Sequence, residues 1–407
     1  MKNNCKYTIY ACYLGYITQA IINNFTPLLF LTLQSQYGIS IRDLGLLVSI
    51  NFGIQILADL LSPLFVKRFG YRKVIVSAHV FSSIGLILLG ILPQFMVHTY
   101  LALLIATAFN AVSGGIIEVL VSPITQALPG DKKEQVMSLL HSFYCWGHVG
   151  VVLISTAFFL MVGISHWYLL AIGWAIIPML NSILFSKVPI YSIDDVNLGV
   201  NEEKSENLSL RNLVRNRVFI VFVILMICSG ASEQGMSQWA SYFAEQGLRI
   251  PKAVGDLLGP CLFAVLMGIA RLLYGKYGER IRLEKFMQLS AILCVGCYLL
   301  TIFGANPMFS LVGCALCGFS VGIFWPGTFS LAANALPSGG TLMFALFAVA
   351  GDIGCALGPG AVGFFSSSLT SLKLGESTFG GIKIGLLFVI LFPILMLVGL
   401  QYVRKRK

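Results

Sequence analysis

Apolar residues in this chain come in runs of about 20, long enough to carry a helix across roughly 30 Å of hydrocarbon. Short polar links separate the runs. Twelve spans are predicted, at 8–33, 43–66, 74–93, 99–127, 135–163, 166–186, 218–245, 253–275, 286–304, 307–335, 340–367 and 380–403. Membrane barrel strands would alternate polar and apolar residues, and no such alternation is sustained. The pattern therefore predicts an all-α polytopic membrane protein. The basic N-terminal stretch is read as the first span rather than a leader, because no small-residue cleavage site follows a short apolar core. The one long polar interruption, 187–217, divides the chain into six-span halves, 1–186 and 218–407.

The halves repeat each other. KRFGYR at 67–72 matches GKYGER at 275–280, QALP at 126–129 matches NALP at 334–337, and WGHVG at 146–150 matches AGDIG at 350–354. The order is the same in each half. Two pseudo-symmetric six-helix bundles are expected, with a solute site near the membrane midplane between them.

Composition agrees with lipid as the main solvent: 57% of the 407 residues are hydrophobic and 11% are charged. The net charge of +10 is spread over the links instead of one face, which argues against a nucleic-acid partner. Of the 27 Lys and Arg, 21 fall on one side of the spans and 5 on the other, with Arg271 inside a span. This asymmetry predicts that both termini and the central loop are cytoplasmic, in the cell membrane. Cys294 with Cys297 and Cys314 with Cys317 have CxxC spacing inside spans, without a His or acidic neighbour. They are read as small core residues, with no metal site and no cofactor expected.

With its basic, glycine-containing links after the second and eighth spans and its long central loop, the chain resembles the major facilitator superfamily. The major facilitator fold is what that resemblance implies, and so is a gating role for the links: Lys67, Arg68, Gly70 and Arg72, then Gly278 and Arg280. Lys67 stands where family members usually carry an acidic residue. The stretches GGIIEVLVSP at 114–123 and FWPGTFSLAANALPSGGTLMFALFAVAGDIGCALGP at 324–359 are similar to the fucose permease-like sugar:proton symporters. In that group carboxylates on the first and fourth spans form the functional pair. Glu118 takes the fourth-span place, and Asn23 stands at the first-span one.

Polar residues inside the spans are the candidates for chemistry, because each is costly in hydrocarbon unless it faces a cavity or a partner. On a continuous helix Glu233, Gln234, Ser237, Gln238 and Ser241 share a sector of about 140°. Amides beside Trp239 suit a solute with hydroxyls to bond and an apolar face to stack. Glu118, mid-span near Asn110, Ser113 and Ser122, is the first candidate for proton exchange, followed by Glu233 and Asp352. Gln19, Asn23, Asn24, Asn51, Gln55, His141, Tyr144 and His148 complete the expected solute contacts. Asp59 is expected to pair with a basic link residue, and Arg271 to snorkel toward the interface. Gly351, Gly354, Gly358 and Gly360 are expected to permit bending or close helix approach in span eleven.

These residues predict a monomeric importer of a sugar or similar polar solute, driven by protons through alternating access. Proton-driven efflux of an amphiphilic compound is the alternative within transport. A non-transporting receptor would need a signalling domain that neither the central loop nor the tail can supply. An intramembrane enzyme is disfavoured because HExxH and GxxxxGKS are absent and no cluster of His and acidic residues has metal-ligand spacing.

Overall fold

The computed structural model describes residues 2–129, 133–190, 210–277, 282–336, 340–369, 372–374, 377–379 and 381–405. Most of the central loop, Gly278 and Arg280 lie outside the described residues. The regular structure of the described residues is helical apart from a small ribbon in which Leu372–Leu374 pairs antiparallel with Ser377–Phe379. Eleven helices among the described residues have the length and apolar composition to cross a membrane. The first segment is not among them. Its helix Lys2–Asn24 carries four polar residues in its last seven, and the 3-10 turn Thr26–Leu29, with Pro27 at its start, separates it from Phe30–Tyr37.

The following helices are Ile41–Phe69, Tyr71–Phe95, Thr99–Gln126, Lys133–Val162 and the pair Trp167–Trp174 and Ile176–Lys187. We refer to these as spans two to six. Span seven begins as Arg217–Ser237, and span eight ends as Leu262–Tyr277. Leu283–Phe303 is span nine, Pro307–Val321 with Phe324–Ala335 span ten, Gly340–Ser368 span eleven, and Ile382–Val389 with Leu391–Lys405 span twelve.

Two compact units result. One comprises Met1–Tyr37 and Ile50–Glu203, the other Gly38–Ser49 and Lys204–Lys407. In the first unit, Ala11, Cys12, Ile75, Ile117, Val121, Leu140 and Phe185 form a shared apolar cluster drawn from five spans. A polar tie crosses it. His79, fully buried, donates from Nδ1 to Ile75 O at 2.8 Å, and its Nε2 accepts from Asn181 at 2.9 Å. Asn181 also donates to Ala11 O at 3.0 Å. Both ring nitrogens are thus used by a neutral imidazole, which makes His79 a strut between spans three, six and one.

In the second unit, spans seven and eleven touch backbone to backbone. A Cβ on Gly354 would lie 2.1 Å from Ile227 O, and one on Gly230 would lie 2.1 Å from Gly351 O. Lipid gives helices no hydrophobic reason to associate, so close van der Waals packing of small residues supplies the attraction. The glycines of span eleven are therefore packing residues in this structure. Cys294 and Cys317, on spans nine and ten, have sulfurs 4.0 Å apart; all four CxxC cysteines are free and buried.

Candidate functional site

Each unit carries its own polar centre. In the first, span one presents an amide to each of three neighbours. Gln19 Nε2 donates to Glu118 Oε2 on span four. Asn23 Oδ1 accepts from Gln55 Nε2 at 2.9 Å and from Asn51 Nδ2 at 3.2 Å, both on span two. Asn24 Nδ2 donates to Ala20 O at 2.9 Å and to Tyr144 OH on span five at 3.3 Å. One turn below Gln19, Tyr16 OH lies 3.2 Å from His141 Nδ1 and 3.3 Å from Ser122 Oγ. The i, i+4 spacing of Asn51 and Gln55 places both on the face of span two that meets Asn23, as the helical stripe in the sequence implied. Gly114, one turn before Glu118, makes room for the Gln55 side chain, which would sit 3.1 Å from a Cβ there.

This arrangement suits a proton site. The Gln19 amide can donate to one carboxylate oxygen whether or not the other carries a hydrogen, so the bond survives both protonation states of Glu118. The surrounding amides and the Tyr16 and Tyr144 hydroxyls are donors and acceptors of the kind a polyhydroxyl solute uses. His148 is buried on span five, and Asp59 sits against Gly115 of span four, where a Cβ would lie 2.6 Å from its Oδ1.

The second unit is built differently. Glu233, buried in span seven, lies 3.6 Å from Arg271 Nη2 of span eight and accepts from Gln234 Nε2 at 3.2 Å. Gln238 Nε2 continues the chain to Gln234 Oε1 at 2.9 Å. The expectation that Arg271 snorkels outward is overturned here. The reason lies in span ten, whose helix is interrupted after Val321. The carbonyl of Gly322 would normally accept from the residue four ahead, which is Pro326 and has no N–H. Arg271 Nε donates to that carbonyl at 3.3 Å, which turns the guanidinium inward toward Glu233.

Span seven departs from the continuous helix on which its polar sector was laid out. The α-helix ends at Ser237, resumes for Ala240–Tyr242, and widens into a π-turn over Phe243–Gly247. Trp239, at the break, is fully buried, with its Nε1 donating to Pro359 O at 3.1 Å and its ring edge-on to Tyr242. Ser241 is drawn to Asp256 of span eight instead of the Glu233 group, with Oγ donating at 2.5 Å. Asp352 is buried one residue after Gly351, where Trp325 packs.

Among the link residues, Gly70 has φ 82°, which a side chain would disfavour, and it starts span three. Arg72 Nη1 donates to Phe185 O at 2.9 Å and Ser186 O at 2.7 Å, capping the end of span six. Lys67 and Arg68 are exposed at the end of span two, and the Arg68 guanidinium lies 5.3 Å from the Phe69 ring centre.

Sequence reading missed Tyr16, the pairing role of Arg271, and the group Ser241, Glu245, Lys252 and Asp256. Two signals were available for the last: Ser241 with Glu245, and Lys252 with Asp256, both at i, i+4.

A family model described as Major Facilitator Superfamily matches residues 12–359. No curated protein matches the sequence. Among solved structures, a bacterial homolog of the human lysosomal transporter Spinster, inward-facing and occupied, aligns with TM-score 0.80 at 12% identity, covering 100% of this chain and 98% of its own. A point mutant of the nucleoside transporter NupG gives 0.76 at 13%, with 98% and 99% covered. A point mutant of the E. coli fucose:proton symporter FucP gives 0.64 at 18%, with 97% and 98% covered.

Proposed function

This chain belongs to the Major Facilitator Superfamily, and from that premise we propose that it imports a sugar or related polyhydroxyl solute by proton symport. It is a multi-pass membrane transporter, not an enzyme. In our reading it works as a monomer in the cell membrane with both termini cytoplasmic, and two six-helix bundles, 1–186 and 218–407, alternate access to the solute. Glu118 takes up the proton. Gln19, Asn23, Asn24, Asn51, Gln55, Tyr144 and His141 meet solute hydroxyls.

The observation that carries this reading is the amide network around span one, which joins Gln19 to Glu118 and Asn23 to Asn51 and Gln55. A proton site and a set of hydroxyl partners on one helix provide a physical route for coupling: the Gln19 bond persists in both states of Glu118 but is stronger to the carboxylate than to the neutral acid, so protonation loosens the hold of span four on span one. Likeness to a fucose:proton symporter and a nucleoside transporter supports a solute that bears hydroxyls.

Uptake of labelled hexoses, pentoses, polyols and nucleosides into proteoliposomes, with and without an inward proton gradient, tests the reading. Gradient-driven accumulation of one such solute is expected. It should be lost in Glu118→Gln, while counterflow exchange persists. Export of amphiphilic compounds, with none of these solutes taken up, would replace the proposal by proton-driven efflux.

A further inference from the structure

A second ionisable centre lies where span seven meets span eight, away from Glu233. The helices do not run regularly into their connection. Span seven finishes in the π-turn Phe243–Gly247, and span eight starts as Lys252–Asp256 followed by a second π-turn, Leu257–Cys261. The second turn has a visible cause, because Pro260 has no N–H to return to the Asp256 carbonyl. Arg249 reverses the chain at φ 55°, and Gly255 allows contact with Ala244, whose Cβ would lie 2.8 Å from one added at Gly255. π-Turns of this kind commonly mark functional positions in helices.

These turns gather four polar side chains. Lys252 Nζ lies 2.9 Å from Glu245 Oε1, 3.1 Å from Asp256 Oδ2 and 3.2 Å from Ser241 Oγ. Ser241 Oγ lies 2.5 Å from Asp256 Oδ1 and 3.3 Å from Glu245 Oε1. The Asp256 side chain is wholly enclosed, while Glu245 keeps 13% and Lys252 17% of their side-chain surface. Among the described residues Asp256 Oδ2 accepts no hydrogen bond, with Lys252 Nζ as its ion-pair neighbour. The other titratable or charged groups on the surrounding elements include Tyr242 beside Ser241, the exposed Arg249 between the two turns, the Cys261 thiol one turn further along span eight, and Lys383 on the helix Ile382–Val389, which packs against the first π-turn.

Fully ionised, two carboxylates and one ammonium leave a net charge of −1 around an enclosed side chain. Such a charge is costly, and one proton removes it. We propose that Glu245, Ser241 and Asp256 form a proton-binding relay, with Lys252 as its fixed counter-charge. The step balances without a co-reactant. A proton on Glu245 Oε1 passes to Ser241 Oγ as the Ser241 hydroxyl proton passes to Asp256 Oδ1. Glu245 is left as carboxylate, Ser241 as alcohol and Asp256 as neutral acid. The hydroxyl is left donating to Glu245 and the proton on Asp256 donates back to Ser241 Oγ; the hydroxyl turns only when the relay resets. Glu245 is the more exposed end and exchanges with water; Asp256 is the store. In the orientation proposed above this exchange faces outside, but the binding of the proton itself does not depend on that orientation or on the solute.

Infrared difference spectra of the full-length protein in lipid, recorded across a pH titration, read this directly. We expect a carboxylic acid C=O band that disappears on raising the pH, is absent in Asp256→Asn, and is retained in Glu118→Gln. Lys252→Met, which removes the counter-charge, should move the disappearance of the band to higher pH. Ser241→Ala should keep the band but slow its exchange after a pH jump. A wild-type band that persists unchanged in Asp256→Asn, or a titration unmoved in Lys252→Met, would overturn the relay and leave the group as a static ion-pair staple. Because Glu118→Gln is read in the same spectra, failure here is separable from failure of the symport reading, which rests on uptake.

Discussion

Glu118 and Glu233 are both carboxylates in apolar spans, yet the structure gives them opposite surroundings. Glu118 accepts from a neutral amide, Gln19, whereas Glu233 lies 3.6 Å from the guanidinium of Arg271. An amide tolerates either charge state of its partner. A guanidinium, which does not give up its proton, favours the charged one. In our proposal, position in a span is not sufficient to make a carboxylate a proton carrier; the balance of charge among the groups it meets on neighbouring helices counts as well. Glu233 was an expected proton site from sequence, and our proposal ranks it after Glu118 because a guanidinium lies beside it.

The sharpest way to break this comparison is to neutralise each acid in turn. Glu118→Gln should reduce gradient-driven accumulation to the level of protein-free vesicles, while Glu233→Gln should leave a pH-dependent uptake measurable. The reverse result would exchange the two roles.

A smaller but still large effect is expected from the cation. Arg271→Met leaves Glu233 enclosed without its partner and should cost about 3–5 kcal/mol of stability, read from thermal unfolding in detergent. The double variant Arg271→Met with Glu233→Gln should recover most of that loss, whereas two independent sites would give additive losses. On the other side of the comparison, Asn23→Ala removes an acceptor shared by Asn51 and Gln55. It should cost about 1–3 kcal/mol in the same assay and weaken solute binding in equilibrium titration. The smallest expected change is Gln238→Ala, which ends a chain of amides already anchored by Glu233. About 1 kcal/mol or less is expected, with accumulation driven by protons unchanged.

Some of this was legible before the fold. The stripe of Asn51 and Gln55 follows from helical spacing alone, and both do reach one partner, Asn23. The group of His141, Tyr144 and His148 on span five was likewise seen, but its connections to Tyr16 and Asn24 on span one were not. The polar sector of span seven was legible only as far as Gln238. Past that point the helix breaks, and Ser241 turns to Asp256 on the next span. A helical wheel assumes a constant turn per residue, and the interruption between Ser237 and Ala240 removes that assumption before Ser241 is reached.

The sequence by itself determined that this is a membrane protein of many helices. Hydrophobic length and spacing are properties of some 20 consecutive residues, and lipid admits few structures that satisfy every backbone group. The tertiary structure alone decided which carboxylate meets an amide and which meets a cation. That choice depends on how helices distant in sequence are rotated and packed, and on single interruptions such as Pro326 and Pro260. Pro326 leaves the Gly322 carbonyl for Arg271, and Pro260 opens the turn beside Asp256. A carbonyl that loses its own helix donor must find another in an apolar interior, and the side chain that supplies it fixes where the charge points.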